Sequence, residues 1–281
     1  MKNHHFAKVS LGCLLCLVMF MTGCISIGGC TMQAKYERTV QLSAPLSPGS
    51  AFEAQTQNGS ITINGADVAD CNMTATIVAR AATDEEAQEL AEKVKVTLIP
   101  SGNRLITKID KPTRLINKSV SVSLDVELPN QTDLELLTHN GGVVLSDITG
   151  KINATTHNGK VAIENVTGTT ALKTHNGSVT CNEISGDSKL SSHNGKVKAF
   201  YSESAASICN ISMITHNGSI ELATPPDYSA KVKASTHNGS INTDLPITVT
   251  GKVSKSKLTG TIGAGEGELY LETHNGSIRI R

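Results

Sequence analysis

The sequence predicts an all-β fold: a right-handed parallel β-solenoid with coils of about 18 residues, two short strands per coil, and one helix inserted near residues 84–93. Three observations carry this expectation. His-Asn-Gly recurs at His139, His157, His175, His193, His216, His237 and His274, with spacings of 18, 18, 18, 23, 21 and 37. Thr precedes His in every copy but one, where Ser192 stands, and Val or Ile lies two residues past Gly in nearly all copies. Aromatic residues make up only 3% of the chain and Trp is absent, while Gly numbers 24. That composition suits a thin, stacked core of small and β-branched side chains better than a large aromatic core.

Within one repeat, Thr174 to Ser191, Thr-His-Asn-Gly reads as a turn and Ser178–Cys181 as a short strand. Ile184-Ser185-Gly186 reads as a second turn, and Ser188–Leu190 leads back to the next copy. The turn pairs are Asn140-Gly141, Asn158-Gly159, Asn176-Gly177, Asn194-Gly195, Asn217-Gly218, Asn238-Gly239 and Asn275-Gly276, with Gln57-Asn58-Gly59 as an early variant. Asn-Gly is expected to supply the positive φ of a tight turn. The spacing of 37 is about two periods, so one turn there is expected to have lost its signature. Asn-Gly between alternating strands is also a hairpin signal, which leaves an antiparallel meander as the alternative. The solenoid is preferred because coils stacked at ~4.8 Å bring like residues into columns, where Asn amides form ladders. A meander has no reason to preserve the whole string. Alternation puts Val161, Ile163, Val179, Cys181, Ile220, Leu222, Leu172, Leu190, Thr174 and Ser192 inward and His outward.

Residues 36–137 precede the repeats of 138–281 and differ from them. A first coil is expected near Phe52–Ile63. Thr83-Asp84-Glu85-Glu86 is a capping box, and Ala87, Leu90, Ala91 and Val94 follow at helical spacing, which predicts a helix over 84–93. Lys95–Pro100 and Arg104–Asp110 read as a hairpin over Ser101-Gly102-Asn103, and Ser119–Leu128 as a strand.

Residues 1–23 read as a lipoprotein signal peptide. Lys2 and Lys8 form a positive n-region, and Leu11 to Met21 is an apolar run too short to span a bilayer. The run ends Met21-Thr22-Gly23-Cys24, which resembles a bacterial lipobox with Met where Leu is commonest; Cys24 would carry the lipid, and 24–35 would be a linker. Several acyl chains on one residue hold a protein durably at a membrane, at about 0.8 kcal/mol per buried CH₂. Ile25 after Cys24, by resemblance to lipoprotein sorting in some Gram-negative bacteria, points to the outer membrane or cell surface. Cleavage would leave 23 basic against 25 acidic residues, which is unlike a nucleic-acid binder. Cys30, Cys71, Cys181 and Cys209 have no zinc-site spacing and read as isolated buried thiols, with one disulfide as the alternative.

Leu128-Pro129-Asn130-Gln131-Thr132-Asp133-Leu134-Glu135-Leu136, followed by repeated Thr-x-Asn-Gly-x-Val turns, resembles the bacterial putative-adhesin family of unknown function, over about residues 50–281. The resemblance implies a β-solenoid of the cell envelope and surface interaction. It brings no catalytic residues, and some relatives accompany envelope-stress signalling systems.

The histidines are the sharpest chemical feature, since all seven outside the signal lie in the repeated turn. A ladder of structural side chains is the first expectation. A shared Zn, Ni or Cu site, a pH-dependent cationic stripe and a contact face are the alternatives. Stacked imidazoles at ~5 Å would resist joint protonation, so their titration is expected to be broad and shifted down. Calcium coils need paired Asp, whereas the column of Asp147, Asn165 and Glu183 is mixed. Carboxylates are scattered, and Gly263–Gly267 lacks the Lys-Ser/Thr of a phosphate loop. No catalytic residue, metal or cofactor is therefore expected. The expected role is a non-catalytic scaffold binding an unknown protein or glycan of the envelope, with a regulatory lipoprotein and a metal-binding histidine array as alternatives.

Overall fold

A computed structural model describes Val18–Met19, residues 34–249 and residues 254–281. Cys24, Cys30 and most of the signal segment lie outside the described residues. Among the described residues the fold is all-β apart from one helix, with two sheets of 12 strands each.

The repeated coils alternate between the sheets. Val143–Thr149, Val161–Thr167, Val179–Ser185, Val197–Tyr201 and Ile220–Ala223 run parallel through the first sheet. Thr132–Asn140, Ile152–Asn158, Thr170–Asn176, Ser188–Ser192 and Ile211–Asn217 run parallel through the second. Val143 pairs with Val161 and Val161 with Val179, so like residues stack, as the repeat requires. The longer spacing before His216 is absorbed by residues 202–210, outside the strands, and Val197 still pairs with Ile220. Every residue expected to point inward is buried, and the core is a thin layer of Val, Ile, Leu, Ala and Cys between the two sheets. Cys71, Cys181 and Cys209 are free, buried thiols.

The second turn sits later than the sequence suggested. Asp147, Asn165 and Glu183 adopt φ of 59°, 52° and 50°, which breaks the alternation and swings Ile148, Val166 and Ile184 back into the core. The strands run on to Thr149, Thr167 and Ser185, and Gly150, Gly168 and Gly186 then turn the chain.

The spacing of 37 hides a change in stacking order. Gly267–Asn275 inserts between Ile211–Asn217 and Ala230–Asn238, so the last coil of the chain is not the last coil of the stack. Ala230–Asn238 instead meets the antiparallel strand Lys257–Ile262, which the short edge strand Thr248–Val249 covers. No turn has lost its signature among the described residues here. The chain leaves the stack, closes its end, and returns one position inside it.

At the other end, Ser50–Asn58 and Ile61–Ala66 form the first coil. Ala34–Pro45, Asp70–Ala81 and Ser119–Pro129 extend the first sheet, the first two antiparallel along their whole length. The first two of these three strands had no counterpart in the sequence reading. The helix occupies Asp84–Glu92; Thr83 Oγ1 accepts from the Glu86 amide, and Ala87, Leu90 and Ala91 face the core. Its C-terminal end is closed by the Arg38 guanidinium, which donates to Ala91 O at 3.2 Å and Val94 O at 2.6 Å. Lys95–Ser101 and Arg104–Asp110 form the expected hairpin beside the first coil.

Candidate functional site: the histidine and asparagine columns

Each Thr-His-Asn-Gly string ends a strand of the second sheet, and its four residues have four different tasks. The Thr side chain points inward and its Oγ1 donates to the carbonyl of the repeat glycine one coil back: Thr156 to Gly141 O, Thr174 to Gly159 O and Thr215 to Gly195 O, each at 2.8 Å. Ser192 does the same to Gly177 O, also at 2.8 Å, which explains why Ser alone replaces Thr. A buried hydroxyl is thereby satisfied without breaking the ladder.

The Asn side chains form one continuous amide ladder. Each Nδ2 donates to the Oδ1 of its neighbour, from Asn140 to Asn58, then Asn158, Asn176, Asn194, Asn217, Asn275 and finally Asn238, at 2.7–2.8 Å. All dipoles point the same way, so neighbouring bonds polarise one another. Asn58 anchors the ladder on Val120 O at 3.3 Å.

The glycines are needed for space, which corrects the expectation of positive φ. Gly141, Gly159, Gly177, Gly195, Gly218, Gly239 and Gly276 lie outside the left-handed region. A Cβ on Gly177 would stand 2.0 Å from Gly159 O, and the other six meet the neighbouring coil's carbonyl at 1.9–2.0 Å. Gly59 alone of these turn glycines has a positive φ, at 137°.

The seven histidines project outward and stack. The order is His139, His157, His175, His193, His216, His274, His237, with ring centroids 4.7–4.9 Å apart and interplanar angles of 1–5°. The column therefore follows the stacking order, not the chain order. Loss of surrounding water, then the charges of His193, His157 and Lys173, hold His175 below the ordinary histidine value. An imidazole binds a metal in its own ring plane. Successive parallel planes place the lone pairs of adjacent rings side by side rather than converging on one ion, so the stacked column is a poor chelator in this arrangement. No group of three or more metal-ligating side chains gathers among the described residues.

A cavity of about 920 Å³ opens at the first three rings. It forms because Arg104–Asp110 pairs with Ser50–Asn58 only at Ala51–Glu53. Beyond that point the cavity is lined by Thr107, Lys108, Ile109 and Lys111, by Gln55, Gln57 and Asn58 of the first coil, and by His139, His157, His175 and Lys173 of the next coils. Every predicted histidine, asparagine and glycine of the repeat thus joins one structure. Gln55, Lys108 and Lys111 were not singled out from the sequence, and Gln57 only as part of the early turn variant, because the hairpin strand that carries Lys108 and leads to Lys111 has no repeat to place it.

Residues 31–281 match the family model described as Toastrack DUF4097. The chain belongs to the Toastrack DUF4097 family. Solved structures resemble the Toastrack chain at low identity. One is described as a "putative cell adhesion protein" from Clostridium sporogenes (14% identity, TM-score 0.36, covering 85% of this chain and 97% of that one). A "putative adhesin" from Bacteroides fragilis has 10% identity and a TM-score of 0.36, covering 86% and 97%. A "putative lipid binding protein" from Parabacteroides distasonis has 10% identity and a TM-score of 0.32, covering 88% and 97%. No curated protein matches this Toastrack chain.

Proposed function

We propose that this Toastrack chain is a non-catalytic, adhesin-like binding scaffold of the bacterial envelope, held by lipid on Cys24 at the outer membrane or cell surface, with its coils wound right-handed. The contact surface in this proposal is the outer face of the second sheet along the histidine column. One observation carries it: seven exposed imidazoles are locked in register at 4.7–4.9 Å by the ladders beneath them. A face fixed before binding loses little side-chain entropy on contact, which favours recognition. A column of identical groups repeats one chemistry along a line, whereas catalysis needs different groups converging on a point. The right-handed winding rests on the hand that parallel crossover connections adopt, and the anchor on the Met21–Cys24 string.

The test uses the full chain in detergent and isolated envelope fractions from a bacterium that makes it. The expected result is saturable binding that falls at least about tenfold when His157, His175 and His193 are changed together to Gln, with the thermal melt unchanged. Equal binding by the variant, or none by the parent, would sink the proposal. Cys24→Ala is expected to release the chain from the membrane fraction; continued sedimentation with membranes would refute the lipid anchor.

A further inference from the structure

The cavity at the start of the column has a lining that selects for charge. Lys108, Lys111 and Lys173 reach it together with His139, His157 and His175, and no Asp or Glu is among its lining residues. Asp110 offsets Lys108 from outside, at 3.2 Å, and Lys111 donates to Gln57 Oε1. Lys173 has no carboxylate partner among the described residues and adds to the positive potential that depresses His175. The chain as a whole is electrically balanced, so this is a local concentration of positive charge.

The remaining lining offers hydrogen-bonding groups: the Gln55 amide, the Gln57 Nε2 beside the Oε1 that Lys111 already uses, and the Thr155 hydroxyl. From Ala54 to Asn58 the edge of the first coil facing the hairpin carries no paired strand among the described residues. Ile109, Val120, Val122 and Leu137 add aliphatic surface, so the lining mixes apolar and polar groups, and no Phe, Tyr or Trp is among its lining residues. A ligand with anionic oxygens and many hydroxyls satisfies these groups. A ligand read by stacking on Phe, Tyr or Trp does not, and the aliphatic side chains fit the C–H faces of sugar rings. The cavity also opens onto the column, which continues from His175 to His193 and beyond at the same pitch, so an extended chain has somewhere to go.

We propose that this cleft is a binding site for an anionic glycan, its charge carried by uronate carboxylates or phosphodiesters, seated between Lys108, Lys111 and Lys173 and running on along the histidine column. The proposal rests on the binding-scaffold reading and names the ligand class of that same face.

The test measures binding of the full chain in detergent to fluorescein-labelled decagalacturonate, with a phosphodiester-linked oligosaccharide, a poly-glutamate and a neutral dextran of similar length as comparison probes. The expected result is that galacturonate or the phosphodiester-linked oligosaccharide binds, that binding weakens as salt rises, and that it weakens at least about tenfold in K108Q/K111Q/K173Q, as loss of three charge contacts implies. Whichever of the two binds more tightly identifies the charge source. Longer oligomers are expected to bind more tightly than trimers. Tighter binding of poly-glutamate than of either would assign the cleft to an acidic peptide and overturn the proposal. So would dextran binding equally well, or unchanged affinity in the triple variant. If no anionic probe binds while envelope fractions still bind through the histidines, the ligand assignment fails and the scaffold reading stands. The three lysines are surface residues, and Lys173→Arg, which keeps the charge, is expected to bind like the parent.

Discussion

A single methyl group at Gly177 would meet Gly159 O at 2.0 Å. Relief requires the two coils to separate, which would stretch the Asn176–Asn158 bond and the Thr174–Gly159 bond together. Gly177→Ala is therefore expected to cost about 3 kcal/mol, at the upper end of overpacking effects. Gly102→Ala is the control: φ is 60° but nothing lies within 4 Å, so the expected cost is only about 1 kcal/mol. Chemical denaturation of both variants checks the contrast, and equal losses would mean that backbone conformation, not close approach, fixes the repeat glycine. The sequence made the glycines conspicuous but suggested the wrong cause, because Asn-Gly signals a left-handed turn in hairpins. Parallel stacking instead brings the carbonyl of one coil against the α-carbon of the next, a contact with no signature in local sequence.

At the scale of the coil, the corner beside the second turn is a point of strain. Asp147, Asn165 and Glu183 share positive φ near 50–60°, and Asn165 Nδ2 donates to Asp147 Oδ1. Glu183 occupies the next place in that short ladder, where its longer side chain is poorly suited to left-handed backbone. Glu183→Asn is expected to stabilise the fold by about 0.5–1 kcal/mol, by easing the backbone and offering an amide to Asn165. A higher melting midpoint is the expected observation, and a lower one would mean that Glu183 has a role in the coil that these contacts do not show. The strands were legible in sequence wherever alternation was strict, as at Val161–Ile163 and Val179–Cys181. The bulge was not, because Asp, Asn and Glu share no motif and alternation simply pauses there.

Across the whole molecule, stability passes from coil to neighbouring coil, so stacking order matters more than chain order. The returning strand Gly267–Asn275 separates Ile211–Asn217 from Ala230–Asn238 and pairs with both. Deleting residues 267–281 is expected to strip Ala230–Asn238 of its partner inside the stack and leave it only the antiparallel hairpin. Hydrogen exchange should then show lost protection in 230–238 and 257–262 and intact protection in 143–185. Preserved protection in 230–238 would contradict the insertion. The equal spacings made the coils legible one by one, and the histidine, asparagine and glycine columns followed from them. Neither the insertion nor the long strands Ala34–Pro45 and Asp70–Ala81 could be placed, since spacing identifies a coil without naming its neighbour.

The account stands or falls on whether the histidines form one stacked, exposed column in solution. Loss of water and the charges of neighbouring rings and Lys173 lower the affinity of His175 for a proton in the folded chain. The unfolded chain therefore binds more protons just below the ordinary histidine value of about 6.5, and stability should decline as pH falls through that value. The decisive measurement is a side-chain NMR titration of the full chain in detergent, following His175 from pH 8 to pH 4, beside the double variant His157→Gln/His193→Gln. The expected result is a His175 midpoint below the ordinary histidine value that moves back toward it in the variant. A His175 midpoint at the ordinary value, the same in parent and variant, would show that the rings do not act on one another as a stacked column and would remove the face on which binding is proposed.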